Sequence, residues 1–84
     1  MKKKTIAILG STGSIGQSTL DIVKKTKKFK VELIIANKNY IKIVDQIKFF
    51  KPRLVIISNE KVYLKIQKKL KNKNIIILNS ITKI

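Results

Sequence analysis

The sequence of 84 residues contains no cysteine and no histidine, and only four of its residues carry a carboxylate. Without cysteine, neither a disulfide framework nor a thiolate metal site can form. Without histidine, the most common general base and metal ligand is missing. The carboxylates of Asp21, Glu32, Asp45 and Glu60 stand at spacings that match no known carboxylate pair or metal site. We therefore expect no catalytic residue and no metal ligand in this chain.

Long apolar runs are missing as well. No stretch approaches the roughly 18 apolar residues of a transmembrane helix. The apolar run that follows MKKK, residues 6–9, is shorter than the hydrophobic region of a signal peptide. We therefore expect a cytoplasmic protein without a membrane partner, with a plastid as the alternative location.

Acidic residues are few and basic residues are abundant, which gives a formal net charge of +16. One interpretation is a partner that is nucleic acid or an acidic membrane. The other is a bias toward AT-rich codons, because lysine, isoleucine and asparagine make up half of the chain. Lysine outnumbers arginine 19 to 1, whereas proteins that bind duplexes favour arginine for bidentate contacts. The codon bias explains the charge better, and we expect no nucleic-acid partner.

Apolar runs alternate with lysine-rich segments of helical periodicity along the whole chain. The predicted strands are 5–9, 30–36, 53–58 and 74–79, and the predicted helices are 14–27, 40–50 and 59–71. Helical spacing places Ile15, Thr19, Ile22 and Val23 on one face of the first helix, Ile41, Val44, Ile47 and Phe50 on one face of the second, and Val62, Ile66 and Leu70 on that of the third. This alternation predicts an α/β fold, in which helices flank a Rossmann-like parallel sheet. The chain would contain only the first half of that fold, with the strand order 3-2-1-4.

All three glycines of the chain lie in the stretch GSTGSIG, between the first predicted strand and the first predicted helix. A G-x-x-G-x-x-G pattern in that setting is typical of a dinucleotide-binding turn. Gly10 would permit the tight turn, Gly13 would let the backbone approach a pyrophosphate, and Gly16 would let the helix pack closely against the strand. The structural alternative is a glycine-rich turn that binds nothing.

The same stretch offers hydrogen-bond donors to a phosphate group. The N–H groups of Ser14 and Ile15 open the helix, where the helix dipole is positive. The side chains of Ser11, Thr12 and Ser14 add hydroxyl groups. The sequence therefore predicts cofactor contacts from Gly10, Ser11, Thr12, Gly13, Ser14 and Ile15.

The end of the second predicted strand distinguishes NAD from NADP. An NAD site usually has Asp or Glu here, which accepts hydrogen bonds from the ribose 2′-hydroxyl. The sequence reads ANKN instead, and Lys38 would supply positive charge where a 2′-phosphate lies, with hydrogen bonds from Asn37 and Asn39. The alternative is a solvated Lys38 and an Asn39 that only caps the following helix. Because the acid is absent, we expect NADPH as the cofactor.

The stretches ILGSTGSIGQSTLDIV, FKVELIIANKN and QIKFFKPRLVII resemble, in order and spacing, the N-terminal segment of the 1-deoxy-D-xylulose 5-phosphate reductoisomerase family. The resemblance implies cofactor contacts at residues 12–15, with Ser11 nearby, and at residues 37–39. The chain departs from the family at Asn37, where glycine is frequent. Asparagine tolerates left-handed backbone angles better than most residues, so the loop can keep its shape.

Through this resemblance the chain is expected to belong to an NADP-dependent oxidoreductase of non-mevalonate isoprenoid biosynthesis. That enzyme rearranges and reduces a small sugar phosphate, 1-deoxy-D-xylulose 5-phosphate, to 2-C-methyl-D-erythritol 4-phosphate. The family also implies a divalent metal (Mn²⁺, Mg²⁺ or Co²⁺) and a homodimer. The resemblance places the catalytic and metal residues of the family beyond residue 84. We therefore expect residues 1–84 to be an NADP-binding Rossmann-like domain, the N-terminal fragment of a larger enzyme and inactive by itself.

Two other functions stay open at this point. Another extended-Rossmann reductase or epimerase would use the same glycine pattern, followed further along the chain by a Tyr-x-x-x-Lys pair. A small basic nucleic-acid-binding domain would instead bind DNA or RNA with a steep dependence on salt concentration.

Overall fold

The computed structural model describes residues 4–11, 13–70 and 74–80, and there the predicted alternation of strands and helices is confirmed. The elements are β1 (Lys4–Leu9), α1 (Ser14–Thr26), β2 (Phe29–Ala36), α2 (Tyr40–Phe50), β3 (Leu54–Ile57), α3 (Glu60–Lys69) and β4 (Ile76–Leu78). Asn39 and Asn59 fix the starts of α2 and α3, because their side chains accept hydrogen bonds from the N–H groups of Lys42 and Val62.

The four strands form one parallel sheet in the order β1-β2-β3-β4. The Rossmann-like α/β class is therefore confirmed, whereas the predicted strand order 3-2-1-4 is wrong. The position of α3 explains the difference, because its residues Val62 and Ile66 share one core with Ile43 and Ile47 of α2. Parallel crossovers are right-handed, so a helix on that face carries the chain outward past β3. For β4 to lie beside β1, α3 would have to pack on the opposite face of the sheet.

The helices bury only part of their apolar surface. The buried residues are Gly16, Leu20 and Val23 in α1, Ile43, Val44 and Ile47 in α2, and Val62 and Ile66 in α3. The predicted face of α3 is confirmed, but the prediction is wrong for Ile15, Ile22 and Ile41, which are exposed. A chain so rich in isoleucine places apolar residues on more than one side of a helix. Spacing alone then does not identify the side that packs on the sheet.

The other face of the sheet is apolar and carries no helix among the described residues. Strand register aligns two rows of side chains across all four strands. One row is Ala7, Leu33, Leu54 and Ile76, and the other is Leu9, Ile35, Ile56 and Leu78. Leu9 and Ile76 on the two edge strands are 73% and 58% exposed, whereas Ile56 between them is 3% exposed, so the apolar surface of this face is most exposed at the edges of the sheet.

Two helices end on lysines in the left-handed backbone conformation. Lys27 after α1 and Lys51 after α2 have φ angles of 56° and 48°, and their N–H groups donate to Val23 and Ile47. Glycine is the usual residue at such helix ends, because a side chain there costs about 1 kcal/mol. The chain instead keeps all three glycines for the turn after β1.

Candidate functional site

The candidate site begins at the glycine turn, residues 10–16, between β1 and α1. Gly10 has a φ of 66°, and its carbonyl accepts a 2.9 Å hydrogen bond from the N–H of Gly13. The N–H groups of Gly10 and Ser11 both donate to the carbonyl of Ile35, at 2.8 and 3.1 Å. The predicted tight turn at Gly10 is therefore confirmed, and the turn is attached to the carboxyl end of β2.

Helix α1 starts inside this turn, and its first N–H groups have no acceptor within the helix. Gly13 is the N-cap and contributes no side-chain cap, and the first intrahelical bond runs from the N–H of Gln17 to the carbonyl of Gly13. The N–H groups of Ser14 and Ile15 precede that bond and have no acceptor within the helix. Both residues are exposed, and the first turn has no acidic residue. The positive end of the helix dipole is thus open to an anion.

Gly16 is buried where α1 crosses the turn. A methyl group at this position would collide with the carbonyl oxygen of Gly10 and would lie 2.9 Å from the Cα atom of Ser11. Both neighbours are backbone atoms, which cannot rotate away as a side chain could. Gly16 therefore permits close packing, as predicted, but the structure shows this packing against the turn that follows β1.

Ser11 lies fully buried at the centre of the turn. Its carbonyl accepts a 2.8 Å hydrogen bond from Nε2 of Gln46 in α2. Its hydroxyl has no hydrogen-bond partner among the described residues, and neither has Oε1 of Gln46. The remaining residue of the predicted turn contacts, Thr12, lies outside the described residues.

The second part of the site is the 37–39 loop, which follows β2. Asn37 is held from the end of β3, because Oγ of Ser58 donates to its Oδ1 at 2.8 Å. The N–H of Ser58 also donates to the carbonyl of Ala36 at 3.0 Å. Asn37 has no positive φ, so asparagine replaces the family's glycine here without backbone strain.

Lys38 and Asn39 differ in whether their side chains already have a partner within the described residues. Lys38 is exposed and has no ion-pair partner within the described ranges. Asn39 caps α2 by accepting a 3.3 Å hydrogen bond from the N–H of Lys42, and its contact with the cofactor stays a prediction. Only the NH₂ group of Asn39 is left to contact a ligand.

Two residues that support the site, Gln46 and Ser58, were not among the predicted contacts. Gln46 is a polar residue beside the buried positions of α2, which is the signal that could have identified it. Ser58 follows β3 directly, as Asn37 follows β2, and parallel strands bring such positions to one edge. The side chain of Gln46 holds the backbone of the glycine turn, and the side chain of Ser58 holds the side chain of Asn37.

The acidic side chains do not add a metal site to this edge of the sheet. Over the described ranges, no three Asp, Glu, His or Cys residues come together to hold a metal ion. Glu32 instead lies near Lys30 and Arg53, with N–O distances of 3.5 and 3.9 Å. In the same part of the chain, no helix is long and apolar enough to cross a membrane.

Comparison with known proteins identifies the family. The family model described as 1-deoxy-D-xylulose 5-phosphate reductoisomerase matches residues 6–82. The chain belongs to this reductoisomerase family. The reductoisomerase of Pelagibacter ubique is 44% identical over 78 residues, and that of Buchnera aphidicola from Schizaphis graminum is 47% identical over 73 residues. The two matches cover 92% and 86% of this chain.

The chain corresponds to a small part of these reductoisomerases. It spans 20% of the length of the Pelagibacter protein and 18% of the Buchnera protein. The resemblance deduced from the sequence is therefore confirmed at the level of the family. The alternatives of another extended-Rossmann enzyme and of a nucleic-acid-binding domain are not favoured.

Solved reductoisomerases share the fold of this chain. The enzyme of Zymomonas mobilis in complex with NADPH superposes with a TM-score of 0.82 at 27% identity, over 92% of this chain and 21% of that one. A reductoisomerase in complex with NADPH, fosmidomycin and magnesium gives a TM-score of 0.83 at 26% identity, over 95% of this chain and 20% of that one. The fold of this chain is thus that of a segment in enzymes solved with NADPH.

Proposed function

We propose that this chain binds NADPH at the carboxyl edge of its sheet. The observation that carries the proposal is the double hydrogen bond from Gly10 and Ser11 to the carbonyl of Ile35. Ile35 is the penultimate residue of β2, so the glycine turn lies beside the 37–39 loop. A turn that suits pyrophosphate and a loop that suits a 2′-phosphate are therefore next to each other. Solved relatives with NADPH support this assignment.

The pyrophosphate would lie on the glycine turn. The N–H groups of Ser14 and Ile15 would donate to its oxygens, and no acidic side chain in the first turn of α1 would repel it. Gly10 and Gly13 add no side chain that would keep the phosphates away from the backbone. The hydroxyl of Thr12 belongs to the same set of proposed contacts. The Ser11 hydroxyl is buried and has no partner among the described residues, so the turn would have to shift for this group to reach the pyrophosphate.

The 2′-phosphate would lie on the 37–39 loop. Lys38 would provide the positive charge, and the NH₂ groups of Asn37 and Asn39 would donate hydrogen bonds. The side-chain oxygens of both asparagines already accept hydrogen bonds, from Ser58 and from the N–H of Lys42. These bonds direct the two amides so that a donor, and not an acceptor, is left for the phosphate. Donors suit a dianion, whereas the ribose hydroxyl of NADH needs an acceptor.

We further infer that residues 1–84 form the NADP-binding domain of a larger reductoisomerase in the cytoplasm. The bound NADPH would supply a hydride, and the residues of this chain would bind and orient the cofactor. The small sugar-phosphate substrate, the divalent metal and the homodimer of the family belong to this proposal. The described carboxylates do not form a metal site, so we derive no step through the metal from this chain.

Titration of the chain with NADPH and NADH, followed by the fluorescence of the reduced nicotinamide, tests the proposed function. We expect NADPH to bind about tenfold more tightly than NADH, because an exposed charge pair and its hydrogen bonds favour the phosphate by about 1 kcal/mol or more. Equal affinities would contradict the assignment of the 37–39 loop to the 2′-phosphate. Absence of binding by either nucleotide would contradict the assignment of the glycine turn.

A further inference from the structure

Gln46 contacts the glycine turn from a different element of the fold. It lies in α2, 35 residues beyond Ser11, and its Nε2 donates to the Ser11 carbonyl at 2.8 Å. None of the proposed cofactor contacts lies in α2. We propose that Gln46 is a positioning residue for the cofactor, which holds the glycine turn in the conformation that presents its N–H groups to pyrophosphate. This inference rests on the proposed function.

The backbone hydrogen bonds of Gly10, Ser11 and Gly13 involve groups other than the Ser11 carbonyl. The N–H groups of Gly10 and Ser11 fix the entry of the turn to Ile35, and the bond from Gly13 to Gly10 closes it. The N-cap of α1 has no side chain that could tie the turn to the helix. Within the described residues, the amide of Gln46 is the side-chain group that anchors the Ser11 carbonyl.

The burial of Ser11 raises the free-energy cost of losing this hydrogen bond. Ser11 is 0% exposed, so its carbonyl cannot exchange the Gln46 amide for bulk water without moving. A buried carbonyl that loses its donor costs more than the net value of one hydrogen bond. The Ser11 carbonyl would therefore turn toward solvent, and the N–H groups that follow it in the turn would change direction with it.

The chemistry of the contact distinguishes two substitutions of Gln46. Methionine has a similar size and no donor, so Gln46→Met removes the anchor and keeps the packing. Glutamate also has a similar size, but Gln46→Glu places a carboxylate against the carbonyl oxygen of Ser11. Since Oε1 of Gln46 has no donor in the described part of the chain, no existing hydrogen bond would offset the repulsion between the carboxylate and the carbonyl oxygen. We expect the glutamate variant to disturb the turn more than the methionine variant.

Two measurements test this role. The first is amide hydrogen exchange of the free chain, comparing Gly13, which donates to Gly10, with Ile34 and Val55 in the core of the sheet. Exchange at Ile34 and Val55 reports global unfolding, so an increase at Gly13 beyond theirs reports local opening of the turn. The second is the affinity for NADPH and for NADH. Gln67→Met is the matched control, because Gln67 is an exposed residue of α3.

Gln46→Met should raise the exchange of Gly13 relative to Ile34 and Val55 about tenfold. It should also weaken NADPH and NADH binding by the same factor of about three to ten, which corresponds to one neutral hydrogen bond. Gln46→Glu should raise the relative exchange of Gly13 and weaken nucleotide binding more than Gln46→Met does. Gln67→Met should change neither quantity.

An unchanged exchange ratio in Gln46→Met would overturn the inference, as would a loss of affinity for NADPH alone. If the unsubstituted chain binds neither nucleotide, the proposed function fails, and the exchange ratio still decides whether Gln46 fixes the turn.

Discussion

Replacement of Gly16 by alanine is expected to destabilise the chain by about 2 kcal/mol or more and to weaken NADPH binding at least about tenfold. Helix propensity alone predicts the opposite sign, because alanine in a helix is favoured over glycine by about 1 kcal/mol. The added methyl group would collide with the backbone of Gly10 and Ser11. Since neither neighbour can rotate away, α1 must shift, and the N–H groups of Ser14 and Ile15 shift with it.

Urea denaturation and NADPH titration of Gly16→Ala measure the two effects. Ser18→Ala is the matched control, because Ser18 lies in the same helix and is exposed. This control should keep the affinity for NADPH and change stability by only a few tenths of a kcal/mol. A Gly16→Ala variant as stable as the unsubstituted chain, or more stable, would show that the helix does not pack on the turn as described.

Reversal of the charge at Lys38 is expected to remove the preference for NADPH over NADH. The Lys38→Glu variant replaces an attraction to the 2′-phosphate by a repulsion, and we expect the affinity for NADPH to fall about tenfold or more. The affinity for NADH should stay the same or rise slightly, because glutamate can accept from the ribose 2′-hydroxyl. Parallel titrations with the two nucleotides give the ratio directly.

The control for Lys38→Glu must change the net charge of the chain by the same amount. Lys48→Glu does so in the last turn of α2, at the far end of that helix from the 37–39 loop. Its ratio of NADPH to NADH affinity should equal that of the unsubstituted chain at moderate salt, where distant charges are screened. If both variants lose the same factor, the net charge of +16 and not Lys38 would account for the preference.

Much of the fold follows from local signals in the sequence. The strand and helix positions were predictable because apolar runs and amphipathic segments alternate, and because Asn39 and Asn59 mark helix starts. The glycine turn was predictable because Gly10 has a left-handed φ, which glycine adopts at the lowest cost, and because backbone atoms leave no room for a side chain at Gly16. These features depend on residues that are close together in the chain.

The strand order depends on a choice that the local pattern does not encode. Whether α3 packs beside α2 or on the opposite face decides if β4 joins β3 or β1. Both faces of the sheet are apolar, since Leu33, Ile35 and Ile56, on the face that carries no described helix, are as hydrophobic as residues in the core. Hydrophobicity alone therefore does not select the face.

The supporting contacts of the site could not be predicted for a related reason. The bond from Gln46 to Ser11 joins residues 35 positions apart, and the bond from Ser58 to Asn37 joins residues 21 positions apart. Each depends on how neighbouring strands align and on how α2 rests on the sheet. A single sequence indicates which residues are polar, but it does not indicate which carbonyl or amide they reach.

The central claim, that NADPH binds at the carboxyl edge of β1 and β2, is tested most directly by mapping nitrogen-15 chemical shifts during titration with NADPH. We predict the largest changes at the amides of the glycine turn and the 37–39 loop, with NADH changing the turn but hardly the loop. The claim would be contradicted if the largest shift changes occurred at the opposite edge of the sheet, around Lys27 and Lys51. It would also be contradicted if the amide shifts of the glycine turn did not change.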